Sequence, residues 1–161
     1  MLRSVTENDF NYIFELYMHP AINSFLMYEE MDASAFRPIF DQLLQQEVLW
    51  IMEVDNKQVG MIKLAPMQYR CSHIVYIGGV AIHPDHKGQG WGLQMMQEAI
   101  TLILAKGYLR AELSVAVENE KAIRIYEKVG FKKVGVLKNF GYLQSKNRFV
   151  DEWLMEYLPN T

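Results

Sequence analysis

The chain is expected to fold as an α/β domain, a mixed, mostly antiparallel sheet of about six or seven strands flanked by about four helices. Three observations lead there. Stretches with two-residue apolar alternation interleave with stretches whose apolar residues recur at helical spacing. Three strand-like stretches follow one another between residues 48 and 82, the first two joined by Asp55-Asn56-Lys57, a hairpin-type turn composition. Gly107 and Gly130 each stand where a helical run ends.

In order, residues 2–5 read as a short strand. Thr6 and Asp9 make a capping signal for a helix through Met18, on which Phe10, Ile13, Phe14 and Tyr17 recur at helical spacing. Pro20 follows its end. A second helix spans residues 32–46 with Asp32 as its cap. Residues 48–54 and 58–65 are the hairpin strands, and residues 73–82 form a third that runs into a glycine-rich loop. The long helix over residues 90–105 carries Leu93, Met96, Ile100 and Ile103. Residues 109–117 alternate, with Leu109, Ala111, Leu113, Val115 and Val117 on one face. Residues 119–129 are helical, with Ala122, Ile125, Tyr126 and Val129 to one side, and residues 131–137 and 149–158 are closing strands. The order is β-α-α-β-β-β-α-β-α-β-β. With no low-complexity linker, Pro/Gly-rich break or repeat, residues 1–161 are read as one domain.

Composition narrows the function. Half of the 161 residues are hydrophobic and 22% are charged, enough for a full core. A net charge of −3 and the lack of a Lys/Arg run argue against nucleic acid or an anionic membrane as partner. No apolar stretch approaches the roughly 20 residues of a membrane span. The N-terminal residues lack the apolar core of a signal peptide, and a lone Cys71 fits a reducing compartment, so a cytoplasmic location is expected. Cys71 reads as structural. His83 and His86 flank Pro84-Asp85 without a clear third ligand, so no metal is expected.

The stretch with most chemistry is Lys87-Gly88-Gln89-Gly90-Trp91-Gly92, between a strand and a helix. Glycines let backbone approach a ligand closely, and the free N–H groups of a helix's first turn bind phosphate. A dinucleotide fingerprint needs its third glycine where Leu93 stands, and no Lys-Ser/Thr pair completes a Walker loop. A second constellation lies about 30 residues on: Asn119, Ala122, Tyr126, Gly130 and Phe131. Tyr126 is on the apolar side of its helix, where a packed ring can aim its hydroxyl at a polar partner. A phenol so placed can protonate a thiolate leaving group.

The loop resembles the acyl-CoA pyrophosphate loop of the GNAT superfamily of N-acetyltransferases, and the second constellation matches that family's Asn-x-x-Ala-x-x-x-Tyr-x-x-x-Gly-Phe pattern in order and spacing. The resemblance is clear over residues 61–156. It implies acetyl-CoA as donor, CoA as product, and a primary amine as acceptor, attacked directly in a ternary complex. It also implies that Tyr126 protonates the CoA thiolate and that Asn119 contacts the cofactor as well as capping its helix. The strand before the loop is implied to splay from its neighbour, so that backbone groups of Val80, Ala81 and Ile82 align the pantetheine arm. The pyrophosphate would meet residues from Gly88 through Leu93, including Gln89, Gly90, Trp91 and Gly92.

Several positions depart from the pattern. Lys87 replaces the usual Arg or Gln, keeping charge without the planar fork. Trp91 either covers the adenine side or packs on the surface. Ser114 stands where many relatives carry a glutamate, which leaves the general base open among Glu112, His73, the Asp151/Glu152 pair and a water chain. Acceptor specificity in the family lies in the first two helices, their loop and the last hairpin. Glu29 and Glu30 in that loop either hold a cationic amine or decorate a solvated turn. The tail from Gly141 to Tyr157 is similar to amino-acid and phosphinothricin-type N-acetyltransferases, and the run from Glu118 to Ile123 to polyamine N-acetyltransferases. A small-molecule amine is expected, with a protein N-terminus or a non-catalytic acyl-CoA sensor as alternatives. The closing strands leave an edge open to pairing, and since relatives are often dimers a homodimer is among the expectations.

Overall fold

A computed structural model describes residues 1–160. Its elements run β1 (Leu2–Ser4), α1 (Phe10–Met18), α2 (Ala33–Gln45), β2 (Leu49–Val54), β3 (Lys57–Pro66), β4 (Ile74–Ile82), α3 (Trp91–Ala105), β5 (Arg110–Ala116), α4 (Glu120–Val129), β6 (Lys132–Leu143) and β7 (Arg148–Tyr157), with short 3₁₀ turns between. The strands make one seven-stranded sheet in the order β1-β2-β3-β4-β5-β7-β6. Only β4 and β5 run parallel; the other neighbours are antiparallel. Among the described residues no helix is long and apolar enough to cross a membrane.

Local chemistry explains the element ends. Asp9 closes the chain's first helical turn by accepting from the Thr6 N–H at 2.8 Å, and Asp32 caps α2 by accepting from the Ala35 N–H. Asp55 and Asn56 both take left-handed φ, as a two-residue hairpin turn demands.

Two cores lie on opposite faces of the sheet. On one, Ile62, Leu64, Val75, Ile77, Leu113, Val115 and Met155 pack against Met95, Met96, Ala99, Ile100 and Ile103 of α3 and Ile123 and Tyr126 of α4. On the other, Ile13, Leu16 and Tyr17 of α1 and Phe36, Phe40 and Leu43 of α2 cover Ile51, Met61 and Ala81. That second core stops at β4. Alternation therefore leaves Arg110, Glu112, Ser114, Glu152, Leu154 and Glu156 on a face that neither α1 nor α2 covers.

The break that makes the site lies in β4. Gly78 pairs with Lys63 and Ala81 with Met61, so Gly79 and Val80 together oppose Ile62 in a β-bulge. Gly79 has φ +56, and a Cβ there would lie 2.8 Å from the Tyr17 hydroxyl, so the position needs glycine both for its backbone and for space. The bulge bends β4 away, and its pairing with β5 ends at Tyr76 and Glu112.

Three expectations need correction. β6 does not stop at residue 137: Asn139, at φ +51, forms a bulge opposite Asp151, whose carboxylate accepts from the Asn139 N–H at 2.8 Å and Lys138 Nζ at 2.9 Å, and the strand resumes to Leu143. Leu109 and Val117 flank β5 and are exposed, because pairing begins and ends inside them. On α4 it is Ile123 that joins Tyr126 in the buried set, with Ala122, Ile125 and Val129 only partly covered.

Candidate active site

Where β4 and β5 part, a cleft of about 640 Å³ runs from the glycine loop past α4 to the segment after α1. Val80, Ala81, Ile82, Lys87, Gly88, Gly90, Trp91, Gly92, Leu93, Asn119 and Tyr126 all line it. Gln89 is outside the lining, its side-chain carbonyl accepting from Trp91 Nε1 at 3.1 Å. Trp91 packs against the α3–α4 core while one side faces the cleft.

The three glycines have different work. Gly88 and Gly90 take φ +76 and +83, and no atom lies within 4 Å of where a Cβ would stand, which leaves an open cradle. Gly90 is the N-cap of α3, so the unpaired N–H groups of the first turn point into that space. Gly92 is already helical, and a Cβ there would meet Ile125 Cδ1 at 3.3 Å. Its lack of a side chain serves the close approach of α3 and α4. Ahead of the loop, His83 Nε2 bonds Glu15 at 2.8 Å while its Nδ1 accepts from the Asp85 N–H, which ties the loop's base to α1.

α4 presents Tyr126 to the cleft. Asn119 Oδ1 accepts from the Ala122 N–H at 3.3 Å and so caps the helix, and Gly130, at φ +116, ends it. Tyr126 is 7% exposed, its ring tilted on Phe131 at 6.2 Å. Among the described residues its hydroxyl has no hydrogen-bond partner, and it borders the cleft. Burial pushes its pKa well above the ordinary tyrosine value, and nearby Tyr76 adds to the rise, so the phenol stays protonated.

Across the parting strands the Tyr76 hydroxyl meets Ser114 Oγ at 2.9 Å. The candidate bases separate by environment. Glu112 is ion-paired to Arg110, which also holds Glu156 at 3.1 Å. Asp151 is held below its ordinary pKa by the Asn139 N–H and Lys138. His73 is exposed just before the end of β4 that stays paired with β5. Glu152, half-buried on the uncovered face and reaching the cleft only through Ser114, which lines it, differs: burial pushes its carboxyl pKa up while a hydrogen bond from Ser114 pulls the other way.

The loop after α1 contributes otherwise than its charges suggest. Phe25 and Leu26 line the cleft, whereas Glu29 and Glu30 do not. Glu29 accepts from the Gln144 N–H at 3.2 Å, tying this loop to the turn between β6 and β7. Sequence reasoning missed Tyr76 and Lys63. The signal for Lys63 was a single lysine inside the apolar run from Val59 to Ala65.

The sequence matches the model of the acetyltransferase (GNAT) family over residues 8–131. An uncharacterized N-acetyltransferase of Methanocaldococcus jannaschii is 29% identical over 154 residues, covering 91% of this chain. The chain spans 66% of that relative's own length, just under two thirds. The spermidine N(1)-acetyltransferase of Escherichia coli K12 is 25% identical over 155 residues, covering 91% of this chain and 80% of that protein. The crystal structure of spermidine N-acetyltransferase from Vibrio cholerae in complex with CoA and spermine is similar in fold, with a TM-score of 0.86 at 21% identity, covering 98% of this chain and 94% of that one.

Proposed function

The chain belongs to the acetyltransferase (GNAT) family, and we propose that it moves the acetyl group of acetyl-CoA onto a primary amine of a small molecule, with Tyr126 as proton donor to the departing thiolate. The observation that carries this reading is the Tyr126 hydroxyl, held protonated by burial and unpartnered beside a cleft that opens between β4 and β5. The residues fit the donor. The open cradle at Gly88 and Gly90, the first-turn N–H groups of α3 and the Lys87 charge suit a pyrophosphate. Backbone groups of Val80, Ala81 and Ile82, on the stretch of β4 that has left β5, suit the amides of a pantetheine arm. Asn119 and Trp91 border the same space. A main-chain N–H on this stretch stabilises negative charge as it develops on the thioester oxygen.

Glu152 is the base in this reading, taking the acceptor's proton directly or through a water at Ser114. Glu152 takes one proton from the ammonium to free the amine; one C–N bond forms and one C–S bond breaks, the sulfur takes its proton from Tyr126, and the proton that the new amide nitrogen sheds returns to the Tyr126 phenolate through water. The Vibrio cholerae protein's complex with CoA and spermine supports a small amine as acceptor. A non-catalytic acyl-CoA sensor, suggested by Ser114 replacing a glutamate, loses its motive once Glu152 supplies a carboxylate on the same face. The test is CoA release across a panel of amines for the wild type and Tyr126→Phe. Turnover on an amine that the substitution largely abolishes supports the reading. Tight CoA binding with no turnover on any amine would make the sensor the better description.

A further inference from the structure

The α1 side of the sheet holds, beside β4 where the second core ends, a cation with no anion. Lys63 stands on β3 between Ile62 and Leu64, which belong to the α3–α4 core, so alternation turns it to the α1 side with Met61 and Ala65. Its side chain lies over β4: a Cβ on Gly78 would be 3.3 Å from Lys63 Cε and 3.9 Å from Nζ. Gly78 lines the cleft, and the Tyr76–Ser114 bridge is beside it.

The arginines of the sheet are neutralised: Arg110 by Glu112 and Glu156, Arg3 by Asp9 and Glu53. Lys63 is half-buried, and its Nζ makes no hydrogen bond or ion pair to any described residue. Desolvation lowers its pKa, the signature of an ammonium that has lost water without gaining a partner. Such a group is a standing cost unless an anion arrives.

We propose that the acceptor carries a carboxylate which Lys63 Nζ receives at the edge of the cleft, so that the acceptor class is amino acids rather than polyamines. The proposal rests on the acetyltransferase reading and narrows its substrate. Lys63 Nζ over β4 and Glu152 on β7 are the cation and the carboxylate of this face that no opposite charge offsets among the described residues, and β5 lies between them. Two strand spacings, roughly 10 Å, set the least separation, and the parting of β4 from β5 beyond Tyr76 widens it, which leaves room for a zwitterion with its ammonium toward Glu152 and its carboxylate toward Lys63. A polyamine in that position would set a cation against Lys63, an unfavourable like-charge contact in a partly desolvated site.

The test uses matched pairs, each an amino acid and its decarboxylated amine: lysine with cadaverine, leucine with 3-methylbutylamine, methionine with 3-methylthiopropylamine; spermidine is the polyamine control. Binding to the CoA-saturated protein is measured by calorimetry and CoA release by steady-state kinetics. In at least one pair the amino acid should be favoured about tenfold or more. Lys63→Met should shrink that preference to about threefold or less, with CoA affinity held as the check on folding, and Lys63→Arg should restore most of it. Amines favoured in every pair, tighter binding of spermidine, or a preference that survives Lys63→Met would each overturn the assignment. If Lys63→Met loses CoA affinity, the wild-type pairs and Lys63→Arg decide. An amino-acid preference in binding with no CoA release would leave Lys63 assigned and overturn acetyl transfer instead.

Discussion

The two faces of the sheet are built on opposite plans. Against α3 and α4 the strands are sealed from Met52 to Met155 by apolar side chains, and what opens to the cleft there is largely backbone: the freed edge of β4, the left-handed Gly88 and Gly90, and the first turn of α3. Against α1 and α2 the sheet is covered only as far as β4; Lys63 of β3 stands at that margin, and beyond it stand Arg110 and Glu112 of β5 and Glu152 and Glu156 of β7. A site made of backbone accepts a ligand that never changes, such as a cofactor's phosphates and amides. A site made of side chains can be respecified by single substitutions. The difference teaches which substitutions should bear on the proposed donor and which on the proposed acceptor.

Substitutions on either side should therefore affect different kinetic quantities. Tyr126→Phe removes the proposed proton donor and leaves the ring's packing, so kcat should fall by about 10²-fold or more with little change in the acetyl-CoA KM. Since burial keeps the phenol's pKa above 10.0, the wild type should show no alkaline loss from this group below that pH. Retained kcat in the phenylalanine variant would break the comparison at its centre.

Glu152→Gln comes next, with a fall in kcat/KM for the amine of about tenfold or more. The sign of its pH dependence is set by burial, which raises the carboxyl pKa above its ordinary 4.5. The base works ionised, so activity should drop as pH falls through that raised value, and this acid limb should vanish in the glutamine variant. An unchanged limb would move the base elsewhere.

Gly90→Ala should act on the other face. A left-handed alanine costs about 1–2 kcal/mol, and the acetyl-CoA KM should rise roughly tenfold while the amine's KM stays put. If both KM values rise together, the division between a donor face and an acceptor face is too sharp. The smallest effect belongs to Glu29→Gln, whose carboxylate is exposed and bonds the Gln144 N–H outside the cleft lining. The amine's KM should change about twofold or less, and a tenfold change would return Glu29 to the acceptor site.

Much of the donor side was legible in the chain itself. Gly88 and Gly90 need left-handed φ, Asn119 caps and Gly130 stops α4, and Tyr126 falls on its buried face; each is a local requirement written within about one helical turn. Element order and the Asp55-Asn56 turn were local in the same way. The misreadings have a common cause. Gly92 looked like its neighbours until Ile125, from a helix 33 residues on, was brought against it. The strand read as ending at residue 137 runs on to Leu143 because Asp151 on the partner strand satisfies the bulge at Asn139.

What the amino-acid sequence determined by itself was the succession of strands and helices and the glycine, asparagine and tyrosine of the donor motifs, because caps, left-handed turns and periodic faces depend on near neighbours. The tertiary structure alone decided the proposed acceptor side. Gly79 against the Tyr17 hydroxyl opens β4 from β5, Arg110 takes Glu112 and Glu156 out of use, and Lys63 and Glu152, 89 residues apart, stand on one face. Charge compensation is a property of which strands lie side by side, and that is fixed only when the sheet has formed.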